Sequence, residues 1–288
     1  MPIRVFLILR DNFFDATGKP KTFRLRDKLS TQDDPLDEYL AKSLADELGE
    51  DFRVVKASPL VSPDLAIYRK QFLDTQSIKK GSCEDLDRIL ALEVKKLNRT
   101  SSGSTARRSG VDYNTTPPCG KVRVYTQKDE PLDVRAFYVF VCQEKSSDEG
   151  SYELTALTLC DGNSLNMDFN LYLSAVETRE KEIQLGTYTD GLNRNRPMFV
   201  FSNPLGLSEL DHKATLIHPI NDLDERCDRL GKVFRLIRTT KDSQNVFWCY
   251  RYKVDIEPAH VVLDIRDFPT PSKRTKKTQS RGKLRLPF

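Results

Sequence analysis

Ile89-Leu90-Ala91-Leu92-Glu93-Val94-Lys95-Lys96-Leu97 is the stretch on which the fold turns. It carries neither glycine nor proline, and its length and branched residues suit a buried strand. In an extended chain successive side chains point to opposite faces. Leu90, Leu92 and Val94 then form a continuous apolar back, while Ala91, Glu93 and Lys95 share the front. Packing alone does not call for a carboxylate and an ammonium on that front.

Working outward, Asp34 is a candidate N-cap, Pro35 suits the first helical position, and Leu36, Tyr39, Leu40, Leu44 and Leu48 make one apolar stripe that Gly49 closes. Phe52–Val55 and Asp64–Tyr68 read as strands around a turn containing Ser58, Pro59, Ser62 and Pro63. Between Tyr68 and Ile89 lies a short polar stretch, partly helical. The apolar run at the start, Ile3–Leu9, reads as a buried strand. Further strands are expected at Val122–Tyr125, Phe137–Cys142, Tyr152–Leu159, Met198–Phe201, Val233–Ile237, Val246–Val254 and His260–Ile265, with a weaker helix at Leu171–Gln184. The pattern is that of an α/β or α+β protein with a central mixed sheet.

A chain of 288 residues is long enough for a sizeable core, and 38% hydrophobic with 31% charged residues is the balance of a globular protein. The net charge of +4 is unevenly placed. Residues 272–285 hold seven basic side chains and no acid, and without them 39 basic residues face 42 acidic ones. A uniformly basic coat is thereby excluded. Two stretches read as unfolded: the Ser/Gly-rich Arg99–Gly110, and the tail after Pro269. Neither separates two composition classes, so residues 1–271 are taken as one domain, with its core at about 34–160, and 272–288 as a flexible basic tail. The apolar run Val5–Leu9 is too short for a spanning helix or a signal peptide. Six widely spaced cysteines without a Cys-x-x-Cys pair read as free thiols, which points to the cytoplasm.

Asp64, at the start of a neighbouring strand, adds a second carboxylate to Glu93 and Lys95. Two hard oxygen ligands suit Mg²⁺, which keeps several waters and takes phosphate oxygens. A lysine beside them can orient water and offset charge in a transition state. At this point the chain resembles the PD-(D/E)XK nuclease superfamily, and within it the type II restriction endonucleases, through Pro63-Asp64, 28 intervening residues, and Glu93-Val94-Lys95. The resemblance spans about residues 34–97. It implies a restriction-endonuclease-like mixed sheet flanked by helices, Asp64 and Glu93 as Mg²⁺ ligands, Lys95 beside the attacking water, and a homodimer acting on double-stranded DNA. The family often adds an acid from the preceding helix, for which Glu38 and Glu47 are the candidates. The plain alternative is a solvated strand face after an ordinary turn. A rival set, Asp133 with Gln143 and Lys145, carries a Gln variant of the same signature.

Between Arg99 and Lys128 six basic residues stand against one acid. Arg99, Arg107, Arg108, Asn114 and Thr115 are of the types that read base edges or hold phosphates. Arg194 and Arg196 form a second candidate group, and the tail offers attraction to phosphate. The expected function is a Mg²⁺-dependent, sequence-specific DNA endonuclease. The alternatives are a repair or processing nuclease with weak sequence preference and a non-catalytic DNA-binding protein. Phosphate-loop, nucleophile-elbow and dinucleotide fingerprints are absent from the sequence.

Overall fold

Val5, Phe6, Leu9 and Phe13 recur at helical spacing and form the buried stripe of α1 (Pro2–Phe13). This corrects the strand expected over Ile3–Leu9. A consecutive apolar run satisfies both periods, and the deciding signal lies past its end, where Phe13 sits seven residues after Phe6. Pro2, with no N–H to leave unpaired, suits the first turn.

The computed structural model describes residues 1–31, 33–59, 61–71, 81–99, 102–103, 110–113, 119–168, 186–189, 195–239, 244–258, 261–266, 268 and 282–287. After α1 come β1 (Thr22–Arg24), α2 (Pro35–Leu48), β2 (Phe52–Lys56), β3 (Val61–Ser62), β4 (Leu65–Arg69), β5 (Ser82–Cys83) and β6 (Ile89–Leu97). Then follow β7 (Gly110–Tyr113), β8 (Lys121–Tyr125), β9 (Pro131–Lys145), β10 (Ser151–Asp161), β11 (Gly186–Thr189), β12 (Asn195–Ser202) and β13 (Ala214–His218). The chain continues through a short α3 (Leu223–Arg226), β14 (Leu230–Thr239), β15 (Gln244–Tyr252), β16 (Leu263–Arg266) and β17 (Gly282–Lys283). Residues 72–80 of the expected polar stretch before Ile89 lie outside the described residues, and so does the whole expected helix at Leu171–Gln184.

Among the described residues most strands join one mixed sheet of 12 strands, along the path β16-β14-β15-β13-β10-β9-β6-β4-β2. β2, β4 and β6 run antiparallel in turn, whereas β9 lies parallel to β6, with Glu93 beside Tyr138 and Lys95 beside Phe140. The fold is therefore mixed α+β, as the pattern implied. The described helices do not flank the sheet on both sides. Leu36, Leu40, Leu44 and Leu48 of α2 pack with the α1 stripe on the face that carries Leu90, Leu92, Phe137 and Val139. The other face carries Ala91, Tyr138, Phe140 and Cys142 and is covered by Val122, Val124, Leu284 and Leu286, so strand and extended segments do there what helices were expected to do.

The helix α2 is built as its sequence suggests. Asp34 accepts the Leu36 N–H at 3.1 Å, and Gly49 ends the helix at φ +76°. The second expected unfolded stretch needs correction at its far end. Gly282 and Lys283 pair in parallel with Val61 and Ser62, and Leu284 and Leu286 are buried in the core. Of the first stretch, Arg99 is ordered by ion pairs and Gly110 opens β7, which pairs with β12. All six cysteines are free thiols, five of them buried and Cys227 half-exposed. No helix among the described residues is long and apolar enough to cross a membrane.

Candidate active site

The front of β6 is an unusual place for charge. Ala91 and Leu97 on it are buried among apolar neighbours, yet between them stand Glu93, 0% exposed, and Lys95, 9% exposed. Burial of an isolated carboxylate is costly, so a partner is expected. The Lys95 Nζ supplies it, 3.1 Å from Glu93 Oε2, and the Ser62 hydroxyl donates to Glu93 Oε1. Both carboxylate oxygens are thus engaged.

Asp64 arrives from the turn between β3 and β4. The turn is closed by the Ala57 N–H donating to the Asp64 carbonyl at 2.8 Å. The Asp64 Oδ2 accepts the Val94 N–H at 2.7 Å, tying this carboxylate to the middle of β6. Burial, and next the negative charge of Glu93, push the Asp64 carboxyl well above the usual carboxylate range, against the pull of Lys95 and the Val94 N–H. Asp64, Glu93 and Lys95 are therefore brought together as the sequence suggested, across two hydrogen-bonded strands.

Neither Glu38 nor Glu47 of α2 is drawn into the cluster. Glu38 is exposed and bonds Arg26 at 2.7 Å, and Glu47 is exposed on the wall of a cavity of about 390 Å³ beside α1. Asp37 stands in their place: its negative charge adds to the rise at Asp64. Burial, and next the charge of Asp34, raise its own carboxyl to about 6, while Lys56, Lys95 and Lys96 oppose the rise. Asp34 is paired with Lys96 at 2.5 Å. A signal for Asp37 was present in the sequence. It lies three, four and seven residues before Leu40, Ala41 and Leu44, on the inward stripe, whereas Glu38 points away from it.

The rival set is not brought together. Asp133 lies near the start of β9, where Arg123 grips it at 2.6 and 2.9 Å. Gln143 and Lys145 stand at the other end of the same strand, about 30 Å or more away at roughly 3.3 Å per residue. Arg99 is no DNA reader either. Only 8% of its side chain is exposed, and Asp211 holds it at 2.8 and 2.9 Å while Glu144 sits at 2.5 Å, so its donors are committed to the fold. Arg107, Arg108, Asn114, Thr115 and Arg194 lie outside the described residues. Arg196 is on β12, opposite Tyr188 of β11.

No family model, curated protein or solved structure matches this chain. The chemistry of the cluster carries the functional reading. Among the described residues no group of three His, Cys, Asp or Glu side chains is arranged to hold a metal. Asp64 and Glu93 nevertheless fit a hard divalent cation by donor type: two carboxylates that raise the cost of each other's charge, one of them with an oxygen, Asp64 Oδ1, that accepts no hydrogen bond among the described residues. Mg²⁺ needs no more than one or two protein carboxylates beside water and phosphate. Two cavities among the described residues, of about 500 and 390 Å³, are lined by residues of α1 with Lys21 and Arg229 and touch none of these side chains.

Proposed function

We propose that this protein is a Mg²⁺-dependent endonuclease hydrolysing DNA phosphodiester bonds with sequence specificity, in the manner of the type II restriction enzymes it resembles, and that it acts as a homodimer. The observation that carries the reading is the convergence of Asp64, from the turn before β4, with Glu93 and Lys95 of the adjacent β6, Asp64 being fixed by the Val94 N–H and Glu93 by Lys95. The reading also draws on the mixed sheet, in which β6 pairs antiparallel with β4 and parallel with β9 and is backed by α2.

Asp64 and Glu93 would hold the cation. When bound, Mg²⁺ would acidify a water and set positive charge against the phosphate. Lys95 contributes a fixed positive charge that offsets the negative charge growing as the new P–O bond forms and the P–O ester bond breaks. Ser62 and the Val94 N–H keep the two carboxylates from turning away. Asp37 adds negative charge beside Asp64.

A second reading is favoured by the complete burial of Glu93 with both oxygens engaged: a DNA-binding protein in which the cluster is structural. Incubating the protein with mixed plasmid DNA and Mg²⁺ separates the readings. Discrete bands are expected. A smear would indicate a processing nuclease with weak sequence preference, and intact DNA with retained binding would select the structural reading. Asp64→Ala, Glu93→Ala and Lys95→Ala should each lower cleavage by about 10²–10³-fold.

A further inference from the structure

Residues 282–287 meet the candidate site through backbone and core contacts. β17 lies parallel to β3, with Lys283 in register with Ser62. Two residues on, the segment crosses to β8: the Tyr125 N–H donates to the Leu284 carbonyl at 2.9 Å, and the Leu286 N–H donates to the Tyr125 carbonyl at 2.8 Å. Leu284 and Leu286 fill the core beside Val61, Ala57 and Val124, with Leu286 only 1% exposed. Arg285, between them, faces outward and pairs with Asp129 at 2.8 Å. The segment therefore bridges β3 and β8, and β3 ends in the serine whose hydroxyl holds Glu93.

β3 is only two residues long. A strand so short has little pairing of its own to fix its position, and β17 is its partner in a two-stranded sheet. We propose that segment 282–287 is a working part of the candidate site: it holds β3, Ser62 acts as a positioning residue for the Glu93 carboxylate, and docking of the segment is linked to cation binding at Asp64 and Glu93. This inference rests on the nuclease reading for the identity of the cation. Residues that orient a ligand without touching the metal typically change metal affinity by about 10–100-fold. Linkage also requires the reverse effect, with cation binding protecting the segment.

The test uses the full-length chain titrated with MgCl₂ in a calorimeter, alongside amide hydrogen exchange with and without Mg²⁺. Ser62→Ala should weaken Mg²⁺ binding about 10-fold or more in a protein whose far-UV circular dichroism matches the parent's. Ser62→Thr, which keeps the hydroxyl, should bind nearly as the parent does. Leu286→Ala, which loosens the segment without altering Ser62, Asp64, Glu93 or Lys95, should weaken Mg²⁺ binding as well. In the parent, Mg²⁺ should slow exchange across 282–287. If the parent binds Mg²⁺ and both Ser62→Ala and Leu286→Ala bind it equally well, the linkage is overturned and the nuclease reading stands. If the parent neither binds Mg²⁺ nor cleaves DNA, the nuclease reading falls and takes this inference with it.

Discussion

Lys95 and Glu93 share a strand face with aromatic and aliphatic neighbours, and their energetics follow from that setting. Removing one member of a buried ion pair strands the other, at a typical cost of about 3–5 kcal/mol, whereas replacing both costs far less. Urea denaturation of Glu93→Gln, Lys95→Met and the double variant should therefore show the double variant more stable than the sum of the single losses implies; strict additivity would mean that the two charges do not sense each other. His218 offers a second test at this scale. It is 3% exposed, and its Nδ1 accepts the Ile220 N–H at 3.2 Å, which suits a neutral ring. Burial, and next the charge of Arg135, lower its titration from 6.5 to about 4. Between those values the unfolded chain takes up a proton that the folded chain refuses, so stability drops as pH falls from 6.5 to about 4, by about 3 kcal/mol, and is level with respect to this group outside the window. Comparing the parent with His218→Gln at pH 7 and pH 4 should show the parent losing its relative advantage on acidification. A difference that does not vary with pH would contradict this. At this scale the three polar residues of the site were legible, because alternation along one strand and a short separation in sequence place them. The commitment of Arg99 was not: its partner Asp211 lies 112 residues away, and nothing local distinguishes an arginine that will meet an aspartate from one that will meet a phosphate.

Among the elements, α2 was readable from end to end and α1 was not, for one reason. The cap and the terminal glycine of α2 fall where its stripe begins and ends, whereas in α1 Arg10 and Asp11 interrupt an apolar run before the helical period can show. Arg10 is buried and pairs with Asp255 at 2.6 Å, so the residue that looked like a boundary lies inside the core. β13 went unread because Ala214–His218 is a short apolar stretch among polar neighbours, and only its parallel pairing with β10 makes it a strand. Gly49 supplies the prediction here. Its φ of +76° with ψ of −174° is a conformation that only glycine adopts with ease, and beyond its chain neighbours no atom of the described residues lies within 4 Å of the place a Cβ would occupy. Gly49→Ala should cost about 1–3 kcal/mol through backbone strain alone, read as a lower urea midpoint with an unchanged slope. Unchanged stability would mean that the helix can end in another conformation.

For the molecule as a whole, the class was legible but the layout was not. Mixed strands and sparse helices follow from local patterns. The order of strands across the sheet depends on pairings such as β6 with β9 and β10 with β13, whose partners are set by burial of both faces rather than by any turn between them. The same two-sided burial governs the thiols. Cys83, Cys119, Cys142, Cys160 and Cys249 are enclosed, and burial pushes the Cys249 thiol up to about 12, which leaves the half-exposed Cys227 just after α3 as the accessible sulfur. A maleimide applied to the native protein should add one label by mass spectrometry, and six after denaturation; several labels under native conditions would show that the core opens. The unmodified chain thus brings its own single attachment point, at which a dye can report on binding or association without any cysteine having first to be engineered in or out.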